Sequence, residues 1–312
     1  MGWAGRIYDM LLAPVVSLAA IPMRQVRKRY TGQLPLTNAA LRRAGIFPLR
    51  NHYYEPLFDP TGLRRDNRAR DLPGIDFAID QQLELLAKFD PADIPADISS
   101  RPTTDNSFYF GNTAFETGDA EIWMHVIRHF RPARIVEVGS GYSTRAAKLT
   151  IDAIKQTDAA YKCDHVCIEP YEMPWLERLG PRVIRQKVED ADSALFESLE
   201  AGDILFIDSS HMIRPEGDVL VEFLQILPNL RSGVIVHVHD IFTPRDYPIA
   251  WREKPLFWNE QYLLEAFLTH NNAWELLLSL NHLRHDHFEK LKAVCPYVSE
   301  ESAPSSFYMR RL

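Results

Sequence analysis

Cysteine is scarce in this chain: Cys163, Cys167 and Cys295 are the only three in 312 residues. Three cannot pair completely, and Cys163-x-x-x-Cys167 lies in or beside an apparent strand without a second cysteine pair, which points to a reduced compartment and away from a zinc knuckle. An excess of positive charge is also missing. The formal charge of −7 supplies no electrostatic reason to expect nucleic acid. The sequence shows no internal repeat and no low-complexity tract. Its 46% hydrophobic and 25% charged residues are ordinary globular values, enough to bury a core in one large domain or in a domain plus an extension.

No apolar run is both long and clean enough to read as a bilayer span. The nearest approach, residues 7–23 (Ile7, Met10, Leu11, Leu12, Val15, Val16, Leu18, Ile21), carries Asp9 and is interrupted by Pro14 and Pro22. Arg24, Arg27, Lys28 and Arg29 follow it, whereas a secretory leader places its charges ahead of its apolar stretch. Two readings stand. Residues 7–29 form an interfacial anchor with the basic cluster on anionic headgroups, or a helix packed on the protein's own body or on a partner subunit of a homo-oligomer. The expected location is cytoplasmic, with or without peripheral membrane contact.

From Thr31 to Phe115 the chain is rich in Pro, Asp and Arg, with a helix expected over about 77–89 (Ile79, Leu83, Leu86). His52-Tyr53-Tyr54-Glu55 reads as substrate-pocket lining or, more simply, as aromatic residues pinning an extension to a core. Phe108-Tyr109-Phe110-Gly111-Asn112 reads as a lid or as a packed loop.

Regularity begins at about Thr117. Ile122, Trp123, Val126, Ile127 and Phe130 recur at helical spacing, and strands then alternate with helices: 134–138, 165–168, 183–184, 203–207 and 234–238. Such alternation implies an α/β fold with a doubly wound, mostly parallel sheet over 117–312, preceded by an apolar and basic segment (1–30) and a loop-rich extension (31–116). The first strand runs into Glu137-Val138-Gly139-Ser140-Gly141-Tyr142-Ser143-Thr144. Two glycines allow a sharp turn and a close ligand approach, and Ser143 can cap the helix that follows. Alone, a glycine pair is a weak signal.

Ligands of open parallel sheets collect at the carboxyl ends of the strands. Here those ends carry Glu137, Glu169, Asp190, Asp208, His239 and Asp240, an acidic rim. A dinucleotide would set its pyrophosphate beside Glu137, and the turn lacks the third small residue of G-x-G-x-x-G. S-adenosylmethionine has no phosphate and carries an ammonium and a sulfonium, which acidic residues suit. Glu169, at the next strand's end, is positioned to accept from ribose hydroxyls.

The segments 137–144, Glu169 and Ile207-Asp208-Ser209-Ser210-His211 resemble the class I S-adenosylmethionine-dependent methyltransferases, over roughly residues 117–312. Within that class, Asp208-x-x-His211 followed by His239-Asp240-Ile241 is similar to the metal-dependent sugar O-methyltransferases typified by macrocin O-methyltransferase, and more distantly to catechol O-methyltransferase. The resemblance implies a Rossmann-like core. It sets Glu137, Gly139 and Gly141 around the methionine part of the cofactor, with Ser140 and Ser143 of the same turn as further contacts, Glu169 on the ribose and Asp190 near the adenine. Asp208 would touch the cofactor and, with Asp240, hold a divalent metal, and His211 would act as general base. His239 stands where those relatives usually carry an acidic residue, which shifts preference from Mg²⁺ toward Mn²⁺ or Zn²⁺.

An alcohol does not ionise at neutral pH, so a histidine base or a metal is the chemistry such an acceptor needs. The bland alternative for His211 is a helix cap or a backbone partner. His237, deeper on the strand of His239, reads as a hydrogen-bonded core histidine, and His282, His285 and His287 as surface. Arg245-Asp246-Tyr247 and Trp258-Asn259-Glu260 are candidates for shaping an acceptor pocket. The expected activity is O-methylation of a small-molecule hydroxyl, a sugar or saccharide precursor. The alternatives are metal-free N-methylation and a non-catalytic S-adenosylmethionine binder tethered to a membrane.

Overall fold

The computed structural model describes residues 2–28, 33–52, 54–57, 59–104, 106–171, 173–254 and 256–312. Arg29, Tyr53 and Thr31, named above, lie outside the described residues. The chain divides into two compact units, 1–65 and 66–312.

The first unit holds helices Trp3–Lys28 and Pro35–Arg43. Glu55 ties its parts together by accepting from Arg27 at 2.8 Å and Arg50 at 3.2 Å, and the Arg27 guanidinium also stands over the Phe47 ring. Tyr54 is 84% exposed, so of the two readings for 52–55 this side chain supports neither a pocket wall nor a pin.

The second unit is built on a seven-stranded sheet: β1 (Arg134–Val138), β2 (Asp164–Ile168), β3 (Arg182–Ile184), β4 (Ile204–Ile207), β5 (Ile235–Val238), β6 (Trp274–Ser279) and β7 (Phe307–Arg311). The order is β3-β2-β1-β4-β5-β7-β6, parallel from β3 to β5, with β7 antiparallel to both β5 and β6. The five parallel strands fall within a residue or so of the sequence-based bounds because each is marked by a short run of apolar, mostly β-branched residues, buried on both faces in β1, β4 and β5. The antiparallel pair escaped sequence reading. Trp274-Glu-Leu-Leu-Leu-Ser does not alternate cleanly, and Phe307-Tyr-Met-Arg-Arg ends in charge.

Strand parity sorts the core into two layers. Ile135, Ile204, Phe206 and Ile235 face one layer with helices Ile79–Leu86, Asp119–Phe130 and Tyr142–Thr157, and Val136, Val138, Leu205, Ile207, Val236 and Val238 face the other. Residues 66–116, expected with the extension, contribute Leu85, Leu86, Phe89, Phe108, Phe110 and Phe115 to the first layer. The segment 108–112 is thus a packed loop. Its Tyr109 hydroxyl lies 2.9 Å from that of Tyr142.

His237 follows the same parity inward. It is fully buried and stacked on Tyr308 at 4.1 Å beside Phe206, and neither ring nitrogen has a hydrogen-bond partner among the described residues. The expected hydrogen-bonded histidine is therefore an apolar-packed one, and burial holds it well below the usual histidine range, as neutral imidazole.

Candidate functional site

The strand ends meet because their ladders continue one residue past each strand. Gly139 N–H donates to the Ile168 carbonyl at 3.0 Å, Asp208 N–H to Val138 at 2.8 Å, and His239 N–H to Ile207 at 2.9 Å. Gly139 has φ +74°, and a Cβ there would stand 1.8 Å from the Asp208 carbonyl oxygen. Only glycine allows β1 and β4 to end so close together.

Over this junction opens a cavity of about 610 Å³, within the usual range for a small-molecule site. Gly139, Ser140, Gly141 and Ser143 form its floor, Glu169 and Asp208 flank it, and Tyr142, Met173 and Phe115 supply apolar wall. Glu169 accepts from Ser140 N–H at 3.4 Å and from Tyr171 N–H at 2.9 Å, which holds its carboxylate across from the glycine turn. Ser140 Oγ is buried without a hydrogen-bond partner among the described residues, a polar group of the kind that a ligand satisfies. Lys187, Arg214, Glu189 and Asp218 also line the cavity, so its mouth carries both signs of charge.

Two of the expected cofactor residues are elsewhere. Glu137 shares the face of Ile135, so strand parity sends it under the helix Tyr142–Thr157, away from the cavity. There it is fully buried, accepts from Thr144 Oγ1 at 2.5 Å and Ser143 Oγ at 3.3 Å, and meets His165 Nε2 at 3.0 Å. Burial alone would depress His165, but the Glu137 carboxylate and the Cys167 sulfur together outweigh it and lift this imidazole to about 10. Asp190 closes the short 3₁₀ turn Val188–Asp190, which presents Val188 and Glu189 to the cavity and turns Asp190 to solvent. Ser143 lines the cavity but does not cap. The helix begins at Tyr142, and Gly141 N–H donates to Thr144 Oγ1 at 3.1 Å.

Beside the cavity, at the ends of β4 and β5, lies a cluster of acids and imidazoles. His211 Nε2 stands 3.4 Å from Asp208 Oδ1 and 3.5 Å from Asp240 Oδ2, while its Nδ1 meets Glu260 Oε2 at 2.8 Å. The loop bearing His211 is clamped to the start of the helix Glu260–Leu268: Asn259 and Glu260 N–H both donate to the His211 carbonyl, at 3.0 and 3.2 Å. Trp258 packs on the His211 ring at 4.3 Å. Both His211 and Asp240 take φ +58°, unusual for residues with side chains and frequent at functional sites.

His239 Nδ1 lies 3.3 Å from Asp208 Oδ1 and 3.7 Å from Asp240 Oδ1, its Nε2 pointing toward Asp119 at 3.7 Å. Among the described residues two groups have ligand atoms that all fall within 4.8 Å of one another: Asp208, His211 and Asp240 here, and Glu137, His165 and Cys167 beneath the helix Tyr142–Thr157. The structure thus brings His211 to the two aspartates beside the expected His239, both imidazoles lying within 3.7 Å of each carboxylate. Burial would make Asp208 harder to ionise, yet His239 and His211 hold it well below the usual carboxylate range. For His211 and His239 burial acts downward, and the surrounding carboxylates more than reverse it.

Sequence reading missed Glu260 as an imidazole partner, Asp119 and Glu222. Asp119 accepts from Ser305 and Ser306 N–H, and Glu222 accepts from Ser209 Oγ at 3.0 Å within a π turn, Glu222–Ile226. A π turn is a structural hint that no sequence spacing shows. Arg245 is a strut, bonding the Asn67 carbonyl and Asp286. His285 is exposed, and His282 pairs with Asp286 at 3.3 Å.

A family model for the methyltransferase domain matches residues 136–241, the stretch from β1 to just past β5 that carries Asp208, His211, His239 and Asp240 and most of the cavity lining. These residues form a class I methyltransferase domain. An uncharacterized protein of Archaeoglobus fulgidus is 31% identical to this methyltransferase over 175 residues, 50% of this chain and 74% of the relative. S-adenosylmethionine is the methyl donor that the domain implies, and the glycine floor, the carboxylate of Glu169 and the unpartnered Ser140 hydroxyl fit it.

Proposed function

We propose that this methyltransferase methylates a hydroxyl of a small molecule, a sugar or saccharide precursor, with His211 as proton acceptor. The observation that carries the reading is the aim of His211. Glu260 holds Nδ1, and Nε2 faces the gap between Asp208 and Asp240, beside the cavity.

S-adenosylmethionine, when bound, supplies a methyl group on sulfonium; Glu169, Ser140 and the 139–141 backbone would hold it. Displacement at such a carbon needs alignment and a nucleophilic oxygen, and little else. Asp208 borders both the cavity and the cluster, so it links the donor side to the acceptor side. The Glu260 carboxylate orients the His211 ring, and with Asp208 and Asp240 it favours the imidazolium, so proton acceptance draws on the neutral form, whose share grows as pH rises.

A second reading has its own observation. Asp208, His211 and Asp240 offer two carboxylates and one imidazole within 4.8 Å of one another, a donor set suited to Mn²⁺ or Zn²⁺. A divalent ion there would lower the pKa of a bound hydroxyl, and His211 would then act as ligand. An N-methyltransferase would need neither arrangement.

Methyl transfer to a panel of sugars and of amines, before and after exhaustive chelation, tests the proposal. Activity on hydroxyl acceptors that survives chelation supports His211 as base; loss on chelation with rescue by Mn²⁺ supports the metal reading. Transfer to amines alone overturns O-methylation.

A further inference from the structure

The helix Trp3–Lys28 is long enough to cross a membrane by length and composition. Its side chains are exposed: Trp3, Tyr8, Met10, Leu11, Val15, Leu18 and Ile21 all stand above 60%. The folded helix organises them. Arg6, Asp9, Ala13, Ser17, Ala20, Arg24 and Arg27 recur at intervals of three and four and so form one polar or small-residue stripe. The large apolar side chains fill the remainder, roughly two thirds of the circumference at about 100° per residue.

Charge supplies a second, independent observation. Residues 1–65 carry ten Lys and Arg against three Asp and Glu, +7, while the whole chain is −7, which leaves −14 for residues 66–312. Arg6 and Arg24 on the stripe, with Arg42 and Arg43 at the end of the second helix, are exposed. Leu36, Ile46 and Phe47 of the same unit are exposed as well. A partner for this unit is apolar and anionic at once, which describes the headgroup boundary of an anionic bilayer.

We infer that residues 3–28 lie in the plane of an anionic membrane, apolar sides sunk among the acyl chains and the Arg6–Arg27 stripe toward water. Spanning is disfavoured by the shortness of the uncharged stretch within the helix. The 14 residues between Asp9 and Arg24 rise about 21 Å, against a hydrocarbon core of about 30 Å. Pro14 and Pro22 have no N–H for the carbonyls of Met10 and Leu18, which find water in the interface and none in the hydrocarbon. A single partner helix would cover one seam and leave most of the apolar circumference wet.

Flotation of the full chain tests the inference. Vesicles of phosphatidylcholine with roughly a third phosphatidylglycerol should carry it upward, and Leu11→Glu with Leu18→Glu should cut the bound fraction at least about tenfold. Phosphatidylcholine alone, or about 0.5 M salt, should weaken binding several-fold. Ala20→Gln, on the stripe, should float like the unsubstituted chain. Three outcomes would overturn the inference: no flotation; equal flotation of the double variant; or self-association in buffer that the double variant abolishes without any vesicle binding. Binding indifferent to lipid charge and resistant to alkaline carbonate would make the helix a spanning one and overturn the in-plane placement.

Discussion

On the cavity side of the site, Gly139, Ser140, Gly141 and Glu169 come from two neighbouring strand ends, and much of the surface is backbone. In the cluster beside it, Asp208, His211, Asp240 and Glu260 come from two strand ends and the start of a helix, and side chains make the contacts. The first half depends on close approach: a Cβ at Gly139 collides with the Asp208 carbonyl. The second depends on a clamp, the 209–214 loop tied to residues 259 and 260. The proposed function assigns cofactor binding to the first and chemistry to the second, parts that can be altered separately.

The sharpest test of that separation, with the largest effect, is His211→Ala. Loss of the proton acceptor should lower the methylation rate by roughly 10²–10⁴-fold while S-adenosylmethionine affinity, read by calorimetry, holds. Undiminished turnover across the pH range would remove His211 from the chemistry, and a parallel loss of cofactor affinity would show that the halves are not separable.

The converse change is Glu169→Ala. Its carboxylate faces the glycine floor, and losing hydrogen bonds to a charged group should weaken S-adenosylmethionine binding by about 1.5–3 kcal/mol. At saturating cofactor the chemical step should be close to normal. Unchanged affinity would take Glu169 out of the ribose role.

The smallest effect probes what lies beneath both halves, the buried Glu137–His165 pair. His165 is raised from 6.5 to about 10, so the folded chain keeps a proton that the unfolded chain releases. Its stabilisation is complete below about pH 6.5 and is lost as pH rises through about 10. Chemical denaturation at a series of pH values should show stability declining across that window, and His165→Gln should flatten the decline. A slope that His165→Gln leaves unchanged would assign it to other groups.

The reading of β1 as strand, turn and helix held because every signal in it is local: β-branched residues, two glycines and a helical repeat within a few turns of chain. Glu137 shows the limit of that reading. Its place before the glycines suggested a cavity residue, yet period-two alternation turns it under the sheet to Thr144 and His165. Asp190 failed as a rim residue for a similar reason, since a 3₁₀ turn, and not the strand, decides which side chain faces inward.

By itself, the sequence determined the five parallel strands, the glycine turn, Glu169 and the candidacy of Asp208, His211 and Asp240, because hydrophobic period and turn chemistry are properties of neighbouring residues. Tertiary structure alone decided that His211 joins His239 beside the two aspartates, that Glu260 holds the far nitrogen of His211, that His237 packs without hydrogen bonds among the described residues, and that an antiparallel pair closes the sheet. Each of those depends on which distant segments touch. Contacts across 30 or more residues follow from packing and backbone turns, such as the left-handed one at Asp240, that no local pattern encodes.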